Sequence, residues 1–329
     1  MSEKILCLGI ETSAHTFGVG IVDENCNILA NEKDAFTTEK GGLIPRELAE
    51  HHLAVAEEVL KRALEKSGKT MKDIDVISFS MGPGIAPALR VGATVARTLA
   101  LLHNKPLLGV NHGIAHIEIG KKLTGCKDPL VVYASGGNSQ IIGFETGRYR
   151  VYGETLDMGV GNLLDTFGRS IGLGFPAGPK IDKMYFEAKE LIELPYTVKG
   201  MDLVFSGLLT AAEQKIGKVN EKDLAYSLMH TAFAMLTEVT ERALAHTEKK
   251  EVLVTGGVAA SKALQKMLQE MCDEREVKLF VCPTPVAVDN GAMIAWQGIV
   301  EFRAGRKMKI EETKVIQKYR TDKVEVNWI

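Results

Sequence analysis

Two histidines, His112 and His116, stand four residues apart in the stretch GVNHGIAHIEIG. On a helix, this spacing places both side chains on one face with their Cβ atoms about 6 Å apart, so that two imidazoles can close on one metal ion. A metalloprotease helix reads H-E-x-x-H and uses the glutamate as general base. Because Gly113 occupies the position of that glutamate, the stretch favours a metal site over peptide hydrolysis. A helix with one buried and one exposed histidine is the alternative.

Carboxylates stand in two glycine-rich or apolar stretches elsewhere in the chain. Asp289 lies in PVAVDNGAM, and Asp157, Asp165 and Asp182 lie in LDMGVGNLLDTFGRSIGLGFPAGPKID. A carboxylate oxygen suits zinc or iron alongside imidazole, but an aspartate before Asn-Gly also forms turns and helix caps. Both interpretations of Asp289 stay open, because the sequence alone does not bring it near His112.

Glycine-rich turns follow several predicted strands and are a second signal for a ligand. YASGGNS, which runs from Tyr133 to Ser139, and VTGGVAAS, which ends at Ser261, each come directly after an apolar strand. Glycine permits a close backbone approach, and exposed N–H groups can hold phosphate or carboxylate oxygens. A plain tight turn is the alternative for each, but MGPG and GFPAGP add two more such turns. Together they indicate a nucleotide-sized ligand, with the helix N-terminus after Ser261 as one anion-binding position.

Apolar runs and turn residues predict alternating strands and helices. Two or three strands are predicted in ILCLGIETSAHTFGVGIVDENCNILANE, and a helix is predicted in IPRELAEHHLAVAEEVLKRALEKSG. A strand DVISFS, a helix ALRVGATVARTLALLH and a strand KPLLGV follow. Asn111 is then placed to cap a short helix with the histidine pair. The pattern restarts at DPLVVYASGGNSQIIGFETGRYRVYGETLD, and the later chain predicts a long helix from LAYSLMH, a strand EVLVTGG, and two helices around the strand KLFVC. We therefore expect an internal duplication and an α/β fold with two lobes and a central cleft.

The composition is that of an ordinary globular protein, and the cytoplasm is the expected compartment. The chain has 329 residues, 25% of them charged, and a formal net charge of −2, so no overall basic field draws it to nucleic acid. Five scattered cysteines favour reduced thiols over disulfides. The start MSEKILCLGIETS lacks a signal-peptide pattern and no apolar run approaches about 20 residues, so no membrane contact is expected. The basic stretch FRAGRKMK is interpreted as a solvated surface.

Eight motifs occur in the order that is typical of one enzyme family. They are LGIETSAHTFGVGIV, MGPGIAPALRVG, GVNHGIAH, YASGGNSQ, GFPAGPKID, FSGLLT, VTGGVAAS and DNGAMIAW. With them the chain resembles the universal tRNA N6-adenosine threonylcarbamoyltransferase family over essentially its whole length, and in particular the archaeal and eukaryal catalytic subunit of the KEOPS complex, once described as an O-sialoglycoprotein endopeptidase. The resemblance implies a duplicated actin-like, Hsp70-like and sugar-kinase-like ATPase fold. We expect a first lobe at 1–127 plus 300–329 that carries the histidine pair, and a second lobe at 128–299 with the nucleotide or adenylate pocket.

The resemblance also implies roles for individual residues. It implies one divalent metal ion per chain, Fe2+ in preference to Zn2+, with the ligands His112, His116, Tyr133 and Asp289. The implied substrate- and nucleotide-binding residues are Tyr133, Ala134, Ser135, Gly136, Gly137, Asp165, Gly178, Asp182 and Ser261. Ser261 stands where relatives commonly carry asparagine, and His15 and Thr16 stand where bacterial relatives usually have acidic residues. No general base is identified.

The implied activity is transfer of the threonylcarbamoyl group from threonylcarbamoyl-AMP to N6 of the adenosine immediately 3′ of the tRNA anticodon, with release of AMP. ATP is a further candidate ligand. The implied partners are tRNA and three KEOPS subunits, namely a Bud-type small kinase, a small dimerising subunit and an accessory subunit that binds the kinase. The alternatives are a metallopeptidase, which lacks the glutamate at position 113, a small-molecule kinase of the same fold, which has no need of paired histidines, and a non-catalytic nucleotide-binding scaffold.

Overall fold

The computed structural model describes residues 4–37 and 44–329. The chain divides into two compact units: unit 1 comprises Met1–Leu123 and Asp289–Ile329, and unit 2 comprises Thr124–Val288. The first division lies close to the expected boundary after residue 127. The second division lies at 288/289, before the helix Gly291–Arg303, which packs on the strands of unit 1. The expected lobes 1–127 plus 300–329 and 128–299 stay a prediction.

The elements alternate between strands and helices along the chain. In unit 1 they are β1 Leu6–Glu11, β2 Thr16–Asp23, β3 Ile28–Ala35, α1 Pro45–Ser67, β4 Val76–Gly82, α2 Ala86–His103, β5 Leu107–Asn111 and α3 His112–Thr124. In unit 2 they are β6 Leu130–Ala134, β7 Ser139–Glu145, β8 Arg148–Glu154, α4 Val160–Ser170, α5 Gly178–Tyr185, β9 Val198–Lys199, β10 Asp202–Leu203, α6 Ser206–Glu213, α7 Glu221–Thr247, β11 Glu251–Thr255, α8 Lys262–Glu274, β12 Lys278–Val281 and α9 Thr284–Ala287. The helix α10, Gly291–Arg303, returns to unit 1.

Each unit contains one five-stranded sheet, and the two sheets have the same topology. The strand order is β3-β2-β1-β4-β5 in unit 1 and β8-β7-β6-β11-β12 in unit 2. In both sheets the first three strands of the unit form an antiparallel meander, and the last two strands join in parallel. The internal duplication and the α/β class expected from the sequence are therefore confirmed.

Glycines in the first two strands let α10 pack directly on the sheet of unit 1. A Cβ at Gly9 would lie 2.2 Å from the backbone N of Ala295, and one at Gly20 would lie 2.2 Å from the backbone N of Ala292. Every residue of β1 is buried, as in a central strand covered on both faces. This close packing fixes the start of α10 against the sheet, and Asp289 lies two residues before that helix.

The long helix α7 forms the centre of the core of unit 2. Its first turn is capped by Asn220, whose side chain accepts hydrogen bonds from the N–H groups of Lys222 and Asp223. Buried side chains of α7 join those of α4, α6 and α8 in one apolar cluster with the central strands. The helices α4 and α5 were not expected from the sequence, because glycines interrupt the apolar periodicity between residues 157 and 180. The helix α6 was not expected either.

Two further expectations concern cysteines and membranes. All five cysteines are buried and none forms a disulfide, as expected. Within the described ranges, no helix combines the length and the apolar character that crossing a bilayer requires.

Candidate metal centre and nucleotide-binding turns

The histidine pair lies at the start of α3, directly after the last residue of β5. The Asn111 side chain accepts a hydrogen bond from the Ile114 N–H at 3.1 Å, so the expected cap of this helix is confirmed. Both imidazoles are buried, and their ring centroids lie 4.7 Å apart at an interplanar angle of 84°. The spacing of four residues therefore places two nitrogen donors side by side, and neither histidine is exposed.

A side chain at position 113 would require Thr321 to move. A Cβ at Gly113 would lie 2.7 Å from Oγ1 of Thr321, closer than real Cβ contacts. The glutamate that a metalloprotease helix carries here would therefore have to displace Thr321. This geometry agrees with the sequence argument against peptide hydrolysis.

Asp289 brings a carboxylate to the two imidazoles across 173 residues of sequence. Its Oδ1 lies 3.3 Å from Nε2 of His116 and 3.5 Å from Nε2 of His112. One donor atom of each residue lies within 4.8 Å of the other two. The cap of α10 is the next residue, since Oδ1 of Asn290 accepts a hydrogen bond from the Met293 N–H at 3.0 Å. Of the two interpretations of Asp289, the metal ligand thus fits the structure better than the helix cap.

A buried carboxylate supports His112 on the other side of its ring. Glu11, the last residue of β1, is fully buried, and its Oε2 lies 2.9 Å from Nδ1 of His112. The Ser13 hydroxyl lies 3.1 Å from the same nitrogen, and the Ser13 N–H donates to Oε1 of Glu11 at 2.5 Å. A carboxylate in this position fixes the orientation and tautomer of a metal-binding histidine and raises its basicity. With Nδ1 engaged by Glu11, Nε2 of His112 faces Asp289.

Burial and neighbouring charges together set the pKa values of His112, His116 and Asp289. Burial alone would lower the pKa of His112, but the carboxylates of Glu11 and Asp289 outweigh burial and raise that pKa to about 9. Burial lowers the pKa of His116. Burial would raise the pKa of Asp289, but the two imidazoles hold it well below its usual range. At neutral pH and without metal, His112 is therefore protonated, and binding of a metal releases that proton.

Two imidazole nitrogens and one carboxylate oxygen are a suitable donor set for a divalent transition metal. The set of two histidines and one carboxylate, with open positions for other ligands, is typical of non-haem Fe(II), and zinc also accepts it. The donors are held by a helix N-terminus, the turn before α10 and a buried carboxylate, so the group is organised by rigid elements. The group could therefore hold one metal ion.

In unit 2, the turn after β6 exposes two backbone amides. The Ser135 N–H donates to Asn138 O at 2.8 Å, and the Asn138 N–H donates to Oγ of Ser135 at 3.1 Å, which closes the turn. Gly136 and Gly137 are exposed at its tip. Among residues 4–37 and 44–329, neither of their N–H groups has an acceptor. The turn can thus present two donors to an anionic oxygen, as predicted.

The second glycine-rich turn packs on the first. Gly256 has a φ of +93°, and a Cβ there would lie 2.2 Å from the carbonyl oxygen of Ala134. Ala134 is the buried last residue of β6. It therefore supports the turn through its backbone, and its side chain is not exposed to a ligand. Glycine at 256 therefore lets the chain after β11 pass directly against the end of β6.

Asp165 and Gly178 meet where α4 and α5 come together. The Ala177 N–H donates to Oδ1 of Asp165 at 2.8 Å, so this carboxylate satisfies a free amide at the start of α5. Gly178 is the first residue of α5, and a Cβ there would have no atom within 4 Å. Gly178 therefore keeps open space beside the first turn of α5.

Asp182 and Ser261 are brought together at the N-terminus of α8. The Ser261 hydroxyl donates to Oδ1 of Asp182 at 2.5 Å, and the Lys262 and Ala263 N–H groups point to the same carboxylate at 3.2 and 3.3 Å. Oγ of Ser261 also accepts from the Leu264 N–H at 3.3 Å. The expectation that this helix N-terminus binds an external anion is corrected, because a carboxylate of the protein already occupies it.

The remaining predicted residue, Tyr133, lies in β6 and is buried. It belongs to unit 2, whereas His112, His116 and Asp289 belong to unit 1. Its role as a metal ligand stays a prediction. Glu11 was not predicted as a site residue, although a carboxylate that ends the apolar run ILCLGIE is a detectable signal.

Comparison with known proteins agrees with these features. The family model described as tRNA N6-adenosine threonylcarbamoyltransferase matches residues 26–296. A protein of that name from Thermococcus sibiricus is 57% identical over 326 residues, which cover 98% of this chain and 100% of the relative. A probable bifunctional tRNA threonylcarbamoyladenosine biosynthesis protein from Methanothermobacter thermautotrophicus is 53% identical, and the match covers 99% of this chain and 61% of that relative.

Solved structures show the fold at low sequence identity. HypF from T. kodakarensis superposes with a TM-score of 0.64 at 14% identity, over 91% of this chain and 48% of HypF. A ROK family glucokinase from Streptomyces griseus superposes with a TM-score of 0.51 at 13% identity, over 89% of this chain and 99% of the kinase. The expected duplicated actin-like and sugar-kinase-like fold is therefore confirmed.

Proposed function

Because the chain belongs to the tRNA N6-adenosine threonylcarbamoyltransferase family, we propose that it transfers the threonylcarbamoyl group from threonylcarbamoyl-AMP to N6 of the adenosine 3′ of the tRNA anticodon. The products are N6-threonylcarbamoyladenosine in tRNA and AMP. The observation that carries the proposal is the match to the Thermococcus enzyme, 57% identical over 98% of this chain. The group of two histidines and one aspartate, at the positions implied by the resemblance, supports it.

The reaction joins a weak nucleophile to an activated acyl group. A bond forms between N6 and the carbonyl carbon, the bond from that carbon to the adenylate oxygen breaks, and N6 loses one proton. The N6 lone pair is delocalised into the purine ring, so orientation of the reactants and stabilisation of developing charge are the main demands on the enzyme. AMP is a good leaving group, and the protein has to hold its phosphate in place.

The metal-binding residues in this proposal are His112, His116 and Asp289, with Tyr133 as a fourth ligand. A bound divalent ion would orient and polarise the threonylcarbamoyl group as a Lewis acid. Fe2+ is proposed in preference to Zn2+ because two histidines and one carboxylate with open positions are typical of non-haem Fe(II) sites, and Zn2+ accepts the same set. Glu11 holds the His112 ring by its Nδ1, so that Nε2 stays aimed at the ion. None of these side chains is assigned as a general base.

The adenylate in this proposal binds to the turns of unit 2. The N–H groups of Gly136 and Gly137, with Ser135 beside them, would donate to the phosphate and stabilise charge on the leaving group. Asp165, Gly178, Asp182 and Ser261 would surround the ribose and base. The open space beside Gly178 and the polar pair of Asp182 and Ser261 support this arrangement. ATP would occupy the same place as an alternative ligand.

The partners in this proposal are tRNA and the other subunits of a KEOPS-type complex. The resemblance points to a Bud-type small kinase, a small dimerising subunit and an accessory subunit that binds the kinase. The Methanothermobacter relative is named bifunctional, and 61% of its length matches this chain. This name supports a partner protein that carries a second activity. The proposed compartment is the cytoplasm.

Transfer of labelled threonine tests this function directly. The chain and its partner subunits would be mixed with threonylcarbamoyl-AMP that carries a 14C-labelled threonyl group, and with unmodified tRNA. We expect label in the tRNA and release of AMP. A matched tRNA with guanosine in place of the adenosine 3′ of the anticodon should accept none. Absence of label from the first tRNA, or equal labelling of both, would contradict the proposal.

A further inference from the structure

A basic groove lies in unit 1 between α2 and the segment that follows α10. It has a volume of about 310 Å3, and its lining is Arg90, Ala93, Thr94, Arg97, Lys314 and Val315. The four residues from α2 recur at positions i, i+3, i+4 and i+7, so they form one face of that helix. All three charged residues of the lining are basic. The groove is therefore a concave surface of one sign of charge.

The basic side chains of the groove have no carboxylate partner in the described ranges. Some exposed cations elsewhere are paired with carboxylates, as in Arg242 with Glu238 and Arg275 with Glu241. Arg97 is held in place by hydrogen bonds from Nε and Nη2 to Oγ1 and O of Thr313. A guanidinium has five N–H donors, so several of those on Arg97 stay available to a ligand.

The groove connects to the metal-binding group through direct contacts in unit 1. Gln317 follows the groove residue Lys314 by three positions, and its carbonyl accepts from the Gly84 N–H at 3.1 Å. The next residue of that loop, Ile85, donates its N–H to the carbonyl of Ser13 at 2.7 Å. The Ser13 hydroxyl lies 3.1 Å from Nδ1 of His112. The segment that contains Lys314 and Gln317 thus packs on the loop at Gly84 and Ile85, and that loop is hydrogen-bonded to Ser13 beside His112.

We propose that this groove binds the phosphate backbone of the RNA substrate and guides the strand to the metal-binding group. The proposal rests on the proposed transferase function. A chain with a net charge of −2 has no overall attraction for tRNA, so it needs a local basic surface. Guanidinium groups bind phosphate oxygens in a bidentate geometry. A protein partner fits less well, because Ala93 and Val315 are the only apolar anchors in the lining.

Charge reversal in the groove tests the proposal through the salt dependence of tRNA binding. The variant Arg90→Glu/Lys314→Glu changes two exposed side chains, and Lys69→Glu/Lys72→Glu is a matched control in the exposed turn after α1. Loss of two phosphate contacts should lower the slope of log K against log salt by about 1.6 and weaken binding about 40-fold at 0.1 M salt. The control should change affinity less than about twofold. The neutral variant Arg90→Gln/Lys314→Gln should shift the slope in the same direction, even if charge reversal disturbs folding.

A steady-state transfer assay separates this proposal from the proposed function. With the partner subunits present, the groove variant should raise KM for tRNA at least tenfold, while kcat and KM for threonylcarbamoyl-AMP stay within about twofold. If the wild-type protein transfers nothing, the proposed function fails whatever the groove does. If the wild type is active and the groove variants bind tRNA as the control does, the groove proposal alone is overturned. Loss of a partner subunit with unchanged tRNA affinity would likewise overturn it and identify a protein-docking surface.

Discussion

Replacement of Glu11 by glutamine should weaken metal binding at high pH and change it much less at neutral pH. Glutamine keeps the shape of the side chain but removes the carboxylate that lies 2.9 Å from Nδ1 of His112. Loss of such a carboxylate lowers metal affinity about 10- to 100-fold, or about 1.4–2.7 kcal/mol. The same change removes one of the two charges that raise the pKa of His112 to about 9.

These two effects oppose each other below pH 9. In the wild-type protein the metal must displace the His112 proton, which costs about 1.4 kcal/mol for each pH unit below that pKa. With a pKa of about 9, this penalty is about 3 kcal/mol at pH 7.0 and under about 1 kcal/mol at pH 8.5. The lower pKa of His112 in Glu11→Gln makes the penalty smaller. The affinity advantage of the wild type should therefore grow by up to about 2 kcal/mol, roughly 30-fold, between these pH values.

Chelator competition for Zn2+ at pH 7.0 and 8.5 measures this change in affinity. Titration calorimetry in buffers of different ionisation enthalpy gives the number of protons released, which should be close to one for the wild type at pH 7.0 and clearly lower for Glu11→Gln. Ser13→Ala is a matched control, because it removes the other contact to Nδ1 of His112 and keeps the Glu11 charge. Equal proton release by wild type and Glu11→Gln, with an affinity loss that does not vary with pH, would refute the reasoning.

Two further predictions concern stability. Burial lowers the pKa of His52 to about 4, and its Nε2 lies 2.9 Å from the Ala14 carbonyl oxygen. A histidine in the unfolded chain titrates near 6.5. Up to about 3 kcal/mol of the free energy of unfolding should therefore be lost as the pH falls from 6.5 to 4. Denaturant titrations of His52→Gln should show a flatter curve over that range, and an unchanged curve would contradict this. Gly256→Ala should destabilise the protein by about 3 kcal/mol, because its φ is +93° and the new Cβ would meet Ala134 O at 2.2 Å. The control is Gly207→Ala in α6, where the new Cβ would have no atom within 4 Å, and it should raise Tm slightly. Equal melting temperatures for the two variants would count against the steric argument.

The histidine pair shows how far spacing alone predicts a site. The separation of four residues correctly predicted two imidazoles on one helix face, and Asn111 correctly predicted where that helix begins. Spacing does not say what lies opposite. Asp289 reaches the pair only because glycines in β1 and β2 let α10 pack against the sheet, which is a property of tertiary packing.

The contacts of Glu11 and Asp182 could not be predicted from the sequence. Glu11 stands at the start of a small polar turn and could be solvated there, and only the fold buries it behind His112. The resemblance implied nucleotide-binding roles for Asp182 and Ser261 separately, and the contact of Asp182 with the first turn of α8 depends on how α5 and α8 pack. Local sequence does not encode such a contact.

The glycine-rich run between residues 157 and 180 hid two helices. Helical periodicity is hard to detect in α4, because glycines break the apolar pattern, and α5 follows two further glycines and a proline. Here the helices form because their buried faces pack on α6 and α7, and tertiary packing overrides weak local propensity. The alternation of strands and helices elsewhere was strong enough to predict the duplicated fold.

The most direct test of the central claim is a single-turnover transfer of the threonylcarbamoyl group to tRNA by His112→Ala/His116→Ala. The reaction would contain the partner subunits, and metal content would be measured on the same samples. His246→Ala, an exposed histidine of α7, is the matched control. We predict that the double variant loses the metal and at least 100-fold of the transfer rate, while the control keeps both. Full transfer by a metal-free double variant would contradict the account.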